Sequence, residues 1–519
     1  MTNIHTSDSL LPRFMNAGRR AKPAVDICII VEGCYPFVMG GVSSWLDWLI
    51  KNLPQYSFAV VAITATSDPA EIVYDIPHNV MVFRKVSLHQ NTSGALGAQV
   101  QPDLDPAHFA DSLCQLVDAG ELDALSDLMD LLRQDPKITH ESLMNSRVAW
   151  QAIQLMYDRH MPHGSFLHYF WAWRALFGGL FAMLLAPLPR ARVYHTISTG
   201  YAGLLAARAA VESKRPALLT EHGIYTNERR IEILMADWIA ETLDSGFSID
   251  EDRFDLKKMW VRGFESYGRV CYDSCTRIVT LYEDNQHLQR ILGAKEERLE
   301  VIPNGIDWTK FSSLPRASDG LRPTMALIGR VVPIKDVKTF LYAAAKIRKD
   351  LPELRALIVG PLDEDKGYYR ECSALTTDLG LANCVEFTGR QDITKLLPEI
   401  HVNVLSSISE AQPLVLLEAG AAGVPAVATD VGSCRELLLG RADEQPALGP
   451  GGIIADVASS DQIADGALKL LSSPELRRLY GEAMAQRVHQ RYNNVDVLKR
   501  YADLYDGCLN RADGMQWLA

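Results

Sequence analysis

Two glutamates eight positions apart, Glu410 and Glu418, frame the segment Ser409-Glu410-Ala411-Gln412-Pro413-Leu414-Val415-Leu416-Leu417-Glu418-Ala419-Gly420. Pro413 suits the first residue of a helix, where its missing N–H costs nothing, so Glu410 is expected in the preceding loop and Glu418 in the second turn. The helix start at Pro413, Leu414 and Val415 offers free backbone N–H groups and the positive end of the helix dipole, a seat for a phosphate. Carboxylates beside a bound anion would repel it. They should therefore face neutral hydroxyls, from which a carboxylate accepts strong hydrogen bonds. Alone, the segment is equally compatible with a solvated helix start bearing a surface glutamate.

A second segment, Gly329-Arg330-Val331-Val332-Pro333-Ile334-Lys335, follows a short apolar run. The planar fork of Arg330 can grip two phosphate oxygens while Lys335 adds a point charge, and together they offset the charge of a departing diphosphate. Without the glutamates, a surface pair on a loop would explain both residues. Gly40-Gly41, after the first apolar run, lets backbone N–H groups approach a diphosphate without a Cβ clash, although such a pair is also a turn signal. Thr220-Glu221-His222-Gly223 places His222 at the carboxyl end of a predicted strand. Tyr194-His195-Thr196 ends another strand and is as well explained by packing. Asp250-Glu251-Asp252 and Asp363-Glu364-Asp365 read as solvated loop acids, since a metal would duplicate the charge of Arg330 and Lys335.

The elements that must hold these residues are strands alternating with helices. Val25 to Glu32 is a β-branched apolar run without alternation, the pattern of a strand covered on both faces in a parallel sheet. A glycine turn and an amphipathic helix, Val42 to Leu53, follow it. Further strands are expected at 58–63, 80–84, 192–197, 217–220, 278–281 and 299–302, and a second series at 324–329, 355–360, 385–388, 402–406, 426–429 and 453–455. The predicted architecture is α/β, two Rossmann-like doubly wound domains facing a cleft. The expected boundaries are a loose extension over 1–23, an N-terminal Rossmann-like domain over 24–315 with a helical insertion at about 86–190, a C-terminal Rossmann-like domain over 316–494, and a final helix over 495–519. Within the insertion, helices are expected at 118–132 and 143–157. Ala175 to Leu188 reads as a buried helix, too short to span a bilayer.

Composition narrows the function. Length alone calls for two domains, and 48% hydrophobic with 22% charged residues describes a globular chain. A formal charge of -12 argues against nucleic-acid binding. Nine cysteines without a CxxC pair suit reduced core thiols in a reducing cytoplasm, Cys271 and Cys275 lying one turn apart on a predicted helix. No secretory signal is readable at the start.

The glutamate segment, the Arg330–Lys335 segment, Gly40-Gly41, His222 and Ile302-Pro303-Asn304-Gly305-Ile306-Asp307 together resemble the retaining glycosyltransferase family four, of the two-Rossmann-domain GT-B type. The resemblance implies a metal-independent hexosyltransferase with no cofactor, whose domain over 24–315 takes the acceptor, whose domain over 316–494 takes the nucleotide sugar, and whose last helix over 495–519 returns to the first domain. It also implies that Glu418 holds a ribose, that Glu410 and His222 contact the donor sugar, and that Arg330 and Lys335 replace a divalent cation. Two departures stand out: Asp336 where the family usually has glycine, and Ala411-Gln412 where Gly-Phe is common. Glu32-Gly33-Cys34-Tyr35-Pro36 and Thr220-Glu221-His222-Gly223-Ile224-Tyr225 resemble the Pel exopolysaccharide branch. That branch implies a UDP-sugar donor, a growing biofilm polysaccharide as acceptor, and a cytoplasmic enzyme beside an inner-membrane synthesis complex. A nucleotide-sugar epimerase of the same fold, or a donor-binding scaffold subunit without transfer, remains as an alternative.

Overall fold

The computed structural model describes residues 23–68, 71–88, 101–235 and 256–514. The extension expected over 1–23 lies outside them except for Pro23, and so does the Asp250–Asp252 triplet.

In chain order the first half contains β1 (Val25–Glu32), α1 (Gly41–Asn52), β2 (Phe58–Thr64), β3 (Val80–Ser87), α2 (Pro106–Ala119), α3 (Leu122–Arg133), α4 (His140–Asn145), α5 (Arg147–His160), α6 (Phe166–Leu185), β4 (Ala191–Thr196), α7 (Tyr201–Ser213), β5 (Ala217–Glu221), α8 (Tyr225–Met235), α9 (Leu256–Ser274), β6 (Cys275–Thr280), α10 (Asp284–Ile291) and β7 (Leu299–Val301). The second half contains α11 (Trp308–Ser312), β8 (Thr324–Ile328), α12 (Val337–Asp350), β9 (Arg355–Val359), α13 (Lys366–Asp378), β10 (Val385–Gly389), α14 (Ile393–Leu396), β11 (Val402–Leu405), α15 (Leu414–Ala421), β12 (Ala426–Thr429), α16 (Cys434–Leu439), β13 (Gly452–Ala455), α17 (Ser460–Leu471), α18 (Pro474–Arg491) and α19 (Asn494–Gly514).

These elements form two compact units. Described residues up to Thr280, with Asn285–Glu300 and those from Ala502 on, make the first; Leu281–Asp284 and Val301–Tyr501 make the second. The first unit is built on a seven-stranded sheet of order β3-β2-β1-β4-β5-β6-β7. Its pairings from β3 through β6 are parallel. β1 is an inner strand, with Ile27 to Val31 buried completely, as an apolar run covered on both faces requires. From Ala502 on, α19 packs into this unit: the Tyr505 hydroxyl meets His195 Nδ1 at 2.7 Å, and the Tyr56 hydroxyl donates to Asp506 at 2.7 Å.

The second unit is built on a six-stranded sheet of order β10-β9-β8-β11-β12-β13, parallel throughout. Each sheet reverses direction beside its first strand, between β1 and β4 in one and between β8 and β11 in the other. Loops leaving the carboxyl ends of such a pair diverge to opposite faces and open a crevice, the place where open α/β sheets take ligands.

Three local expectations need correction. The helix expected over 118–132 is two helices, because Gly120 ends α2 in the left-handed region at φ 64°. A Cβ there would also fall 2.9 Å from the Ser266 backbone. The helix expected over 143–157 breaks at Ser146, whose hydroxyl caps α5 by accepting the Ala149 N–H. Cys275 opens β6 rather than continuing a helix with Cys271, and the two sulfurs stand 4.0 Å apart as free thiols. α6 is buried without interruption from Leu176 to Leu185, and no helix among the described residues is long and apolar enough to cross a membrane.

Candidate active site

In the second unit, the loops after β8 and β11 carry Lys335 and Glu410, and the two side chains form an ion pair at the switch point of the sheet. Several short hydrogen bonds hold them there. Ser407 Oγ donates to Glu410 Oε1 at 2.6 Å, and the Ser407 carbonyl accepts from Thr429 Oγ1 at 2.7 Å. Ser406 Oγ faces the carbonyls of Lys335 and Asp336 at 3.0 and 2.9 Å. Ile408 N donates to the Ile334 carbonyl at 2.8 Å and ties the two loops directly. Gly432, at φ 53°, lies against the Glu410 loop so closely that a Cβ would sit 2.2 Å from the Glu410 carbonyl oxygen.

Asp336 adopts φ 45°, ψ 55°, a left-handed conformation that favours glycine and that aspartate tolerates better than most residues. Its carboxylate accepts the Thr339 N–H and caps α12. The departure from glycine is thus accommodated without displacing Lys335. The other departure also has a structural role: Gln412 Oε1 accepts the Asn304 N–H at 2.7 Å, joining the glutamate segment to the Asn304-Gly305 turn.

Pro413 is the N-cap of α15 rather than its first residue; Leu414 and Val415 open the helix, with Leu414 exposed. Glu418 follows in the second turn. Burial pushes its carboxyl up to about 7, with Lys310 of α11 drawing it partly back. Arg330 does not join the Lys335–Glu410 pair, and neither does Glu418, whose charged neighbour is Lys310. Arg330 pairs with Glu364 at 3.0 Å and is 56% exposed, whereas Lys335 and Glu410 are 20% and 13% exposed. The Arg330 pair is therefore screened by solvent and easily exchanged, while the Lys335 pair is partly desolvated. Within the remaining acidic triplet, Glu364 takes this ion pair and Asp365 caps α13 through the Tyr368 N–H.

In the first unit, His222 follows β5 directly and sets its ring edge-on to Trp45 of α1, centroids 4.6 Å apart. Its Nε2 is buried without a hydrogen-bond partner among the described residues, and burial lowers its pKa to about 4, so the imidazole is neutral near pH 7. His195 is a packed core residue, held by Tyr505 and by Thr220 Oγ1 at 2.9 Å. Gly41 is the first residue of α1 and Gly40 its extended N-cap; neither has another atom within 4 Å of where a Cβ would be.

The sequence reading passed over Ser406, Ser407 and Lys310, and took Glu364 only as a solvated loop acid. Ser407 could have been noticed, since a serine three positions before a loop carboxylate is a recurrent local hydrogen-bonding arrangement. Lys310 carried no local signal, because its proximity to Glu418 is produced by tertiary packing alone.

A family model described as Domain of unknown function (DUF3492) matches residues 25–297, just over half of the chain. The chain belongs to this family. A second model, Glycosyl transferases group 1, matches residues 315–487, which include Arg330, Lys335, Glu410 and Glu418. The fold is GT-B. It is similar to the Anabaena HepE protein solved with UDP, at TM-score 0.54 and 14% identity over 93% of this chain and 100% of that one. It is also similar to sucrose-phosphate synthase of Thermosynechococcus elongatus, at TM-score 0.56 and 15% identity over 94% and 100%. Among curated relatives, an exopolysaccharide phosphotransferase of Streptomyces coelicolor is 31% identical over 47% of this chain, a match covering only 24% of that protein. An N,N'-diacetylbacillosaminyl-diphospho-undecaprenol alpha-1,3-N-acetylgalactosaminyltransferase of Campylobacter jejuni is 26% identical over 51% of this chain and 67% of its own length.

Proposed function

We propose that this protein is a metal-independent, retaining glycosyltransferase that moves a hexose from a UDP-sugar, UDP-glucose or a UDP-N-acetylhexosamine, onto a growing exopolysaccharide. The observation that carries the proposal is the Lys335–Glu410 pair at the switch point of the second sheet, a cation and a hydroxyl-binding carboxylate side by side where a nucleotide ligand belongs. The diphosphate draws Lys335 from Glu410 and Arg330 from Glu364, and the two cations offset the charge that grows on the leaving group. The start of α15 at Pro413, Leu414 and Val415 adds its dipole. Glu418 accepts from the ribose, and Glu410, freed of Lys335, accepts from the transferred sugar. Within the first unit taken by itself, the backbone N–H groups at Gly40 and Gly41 suit a phosphate and the neutral His222 ring suits a sugar hydroxyl. Charge supplied by Arg330 and Lys335 is the ground for metal independence.

The relatives support a glycan acceptor: one is named for exopolysaccharide and another for a lipid-linked sugar. The neighbour solved with UDP-glucose supports the donor class. The Glu32-Gly33-Cys34-Tyr35-Pro36 opening supports a Pel-type biofilm polysaccharide and a protein like the Pel glycosyltransferase PelF, acting in the cytoplasm beside an inner-membrane synthesis complex. The test is product analysis with UDP-sugars and glycan acceptors. Lengthened acceptor supports the proposal; release of an epimerised nucleotide sugar without acceptor, or UDP binding with no turnover, contradicts it.

A further inference from the structure

Glu410 is held in an asymmetric way. Lys335 Nζ and Ser407 Oγ both donate to the same oxygen, Oε1, while Oε2 accepts no hydrogen bond from the described residues. Ser407 is buried two residues beyond the end of β11, and its own position is set by Thr429 Oγ1 on its carbonyl. The neighbouring Ser406 does the complementary task, its hydroxyl placed against the carbonyls at Lys335 and Asp336. The two hydroxyls leave the loop just past β11 toward different partners. One serine therefore supports the loop of the cation, and the other supports the carboxylate.

The geometry points to Ser407 as a positioning residue for Glu410, one that keeps Oε1 occupied and Oε2 directed at the sugar after Lys335 has left for the diphosphate. This rests on the glycosyltransferase proposal above and deepens it by naming which oxygen addresses the donor sugar. While Lys335 sits on Glu410 the carboxylate has two tethers. Once a diphosphate takes the ammonium, the Ser407 hydroxyl is the remaining tether, and Gly432 blocks retreat of the loop backbone. A carboxylate free to rotate presents its acceptor to the sugar for only part of the time, and loss of such alignment lowers the rate more than the binding.

The test compares Ser407→Ala and Ser407→Thr with the parent, measuring UDP binding by thermal shift and donor turnover by steady-state kinetics. Ser407→Ala is expected to keep its UDP-induced rise in melting temperature and its donor KM within about threefold. Its kcat should fall about ten- to a hundredfold, the scale of a lost hydrogen bond to a charged group. Ser407→Thr, which restores the hydroxyl, should recover most of that loss. Parental kcat in Ser407→Ala overturns the inference while leaving the glycosyltransferase proposal standing. A loss confined to KM, or to melting temperature with no recovery in Ser407→Thr, also overturns it. Absence of turnover in the parent itself removes the proposal and the inference together.

Discussion

Lys335 and Glu410 lie 75 positions apart in the chain and meet as an ion pair across the point where the second sheet reverses direction. Lys335 closes a single 3-10 turn, Pro333–Lys335, and Glu410 lies in a loop. Their meeting depends on β8 and β11 being neighbours, on two serines at the end of β11, and on a glycine at position 432 that lets the backbone close in.

Replacing Lys335 with alanine should lower donor turnover by at least ~100-fold, the scale for losing one donor to a developing charge. The fold should survive, since Ser407 and the backbone still hold Glu410. Circular dichroism together with initial rates checks both halves, and parental turnover would contradict the assigned role.

Chelation should leave activity in place. EDTA-treated enzyme is expected to retain its rate, and loss of transfer that manganese restores would show that Arg330 and Lys335 do not suffice.

Glu418 sets a pH dependence. Its folded carboxyl lies at about 7 against 4.5 for the free group, so the folded state favours the protonated form and loses stability as pH rises from 4.5 through about 7. Glu418→Gln should therefore gain melting temperature relative to the parent across that window, by the equivalent of about 1–3 kcal/mol. UDP affinity should move the other way in the parent, tightening as pH rises through about 7, because the ionised carboxylate is the better acceptor for ribose hydroxyls. A flat difference in melting temperature would remove Glu418 from the account.

His222 and His195 both titrate below their ordinary range, at about 4 and about 3, because burial penalises the charged ring. The unfolded chain takes up these protons near 6.5, so stability of the first unit should fall as pH drops below 6.5. Proton NMR of the imidazoles should show both neutral at pH 6, and a charged His222 at that pH would contradict the buried environment.

Gly432→Ala should cost about 1–3 kcal/mol of stability, since it forces a side chain into the left-handed region and against the Glu410 carbonyl. Turnover should fall with it. A variant with parental stability and rate would show that the loop has room to move.

Much of this architecture could be read in advance, for an identifiable reason. All thirteen strands were expected, their ends shifting by a few residues at most, because strands covered on both faces are continuous apolar runs that stand out between helices. The failures came where one residue interrupts a helical pattern: Gly120 and Ser146 lie within segments whose apolar period continues across the break. In the site, Lys335 and Glu410 were each legible in their own segments, while their ion pair with one another, the pairing of Arg330 with Glu364 and the effect of Lys310 on Glu418 were not. Those contacts are made between residues distant in the chain and leave no periodicity to detect. The two serines were visible as residues, but only their hydrogen bonds to residues distant in the chain and to Glu410 show which loop each one supports.

The most direct measurement is a thermal-shift panel of UDP-, ADP- and GDP-sugars on the parent and on Lys335→Ala, since a ligand that binds only the folded state raises its melting temperature. The account predicts a rise with a UDP-sugar in the parent that is largely lost in the variant. A parent indifferent to every UDP-sugar, or a variant that responds as the parent does, would contradict the claim that a diphosphate takes Lys335 from Glu410.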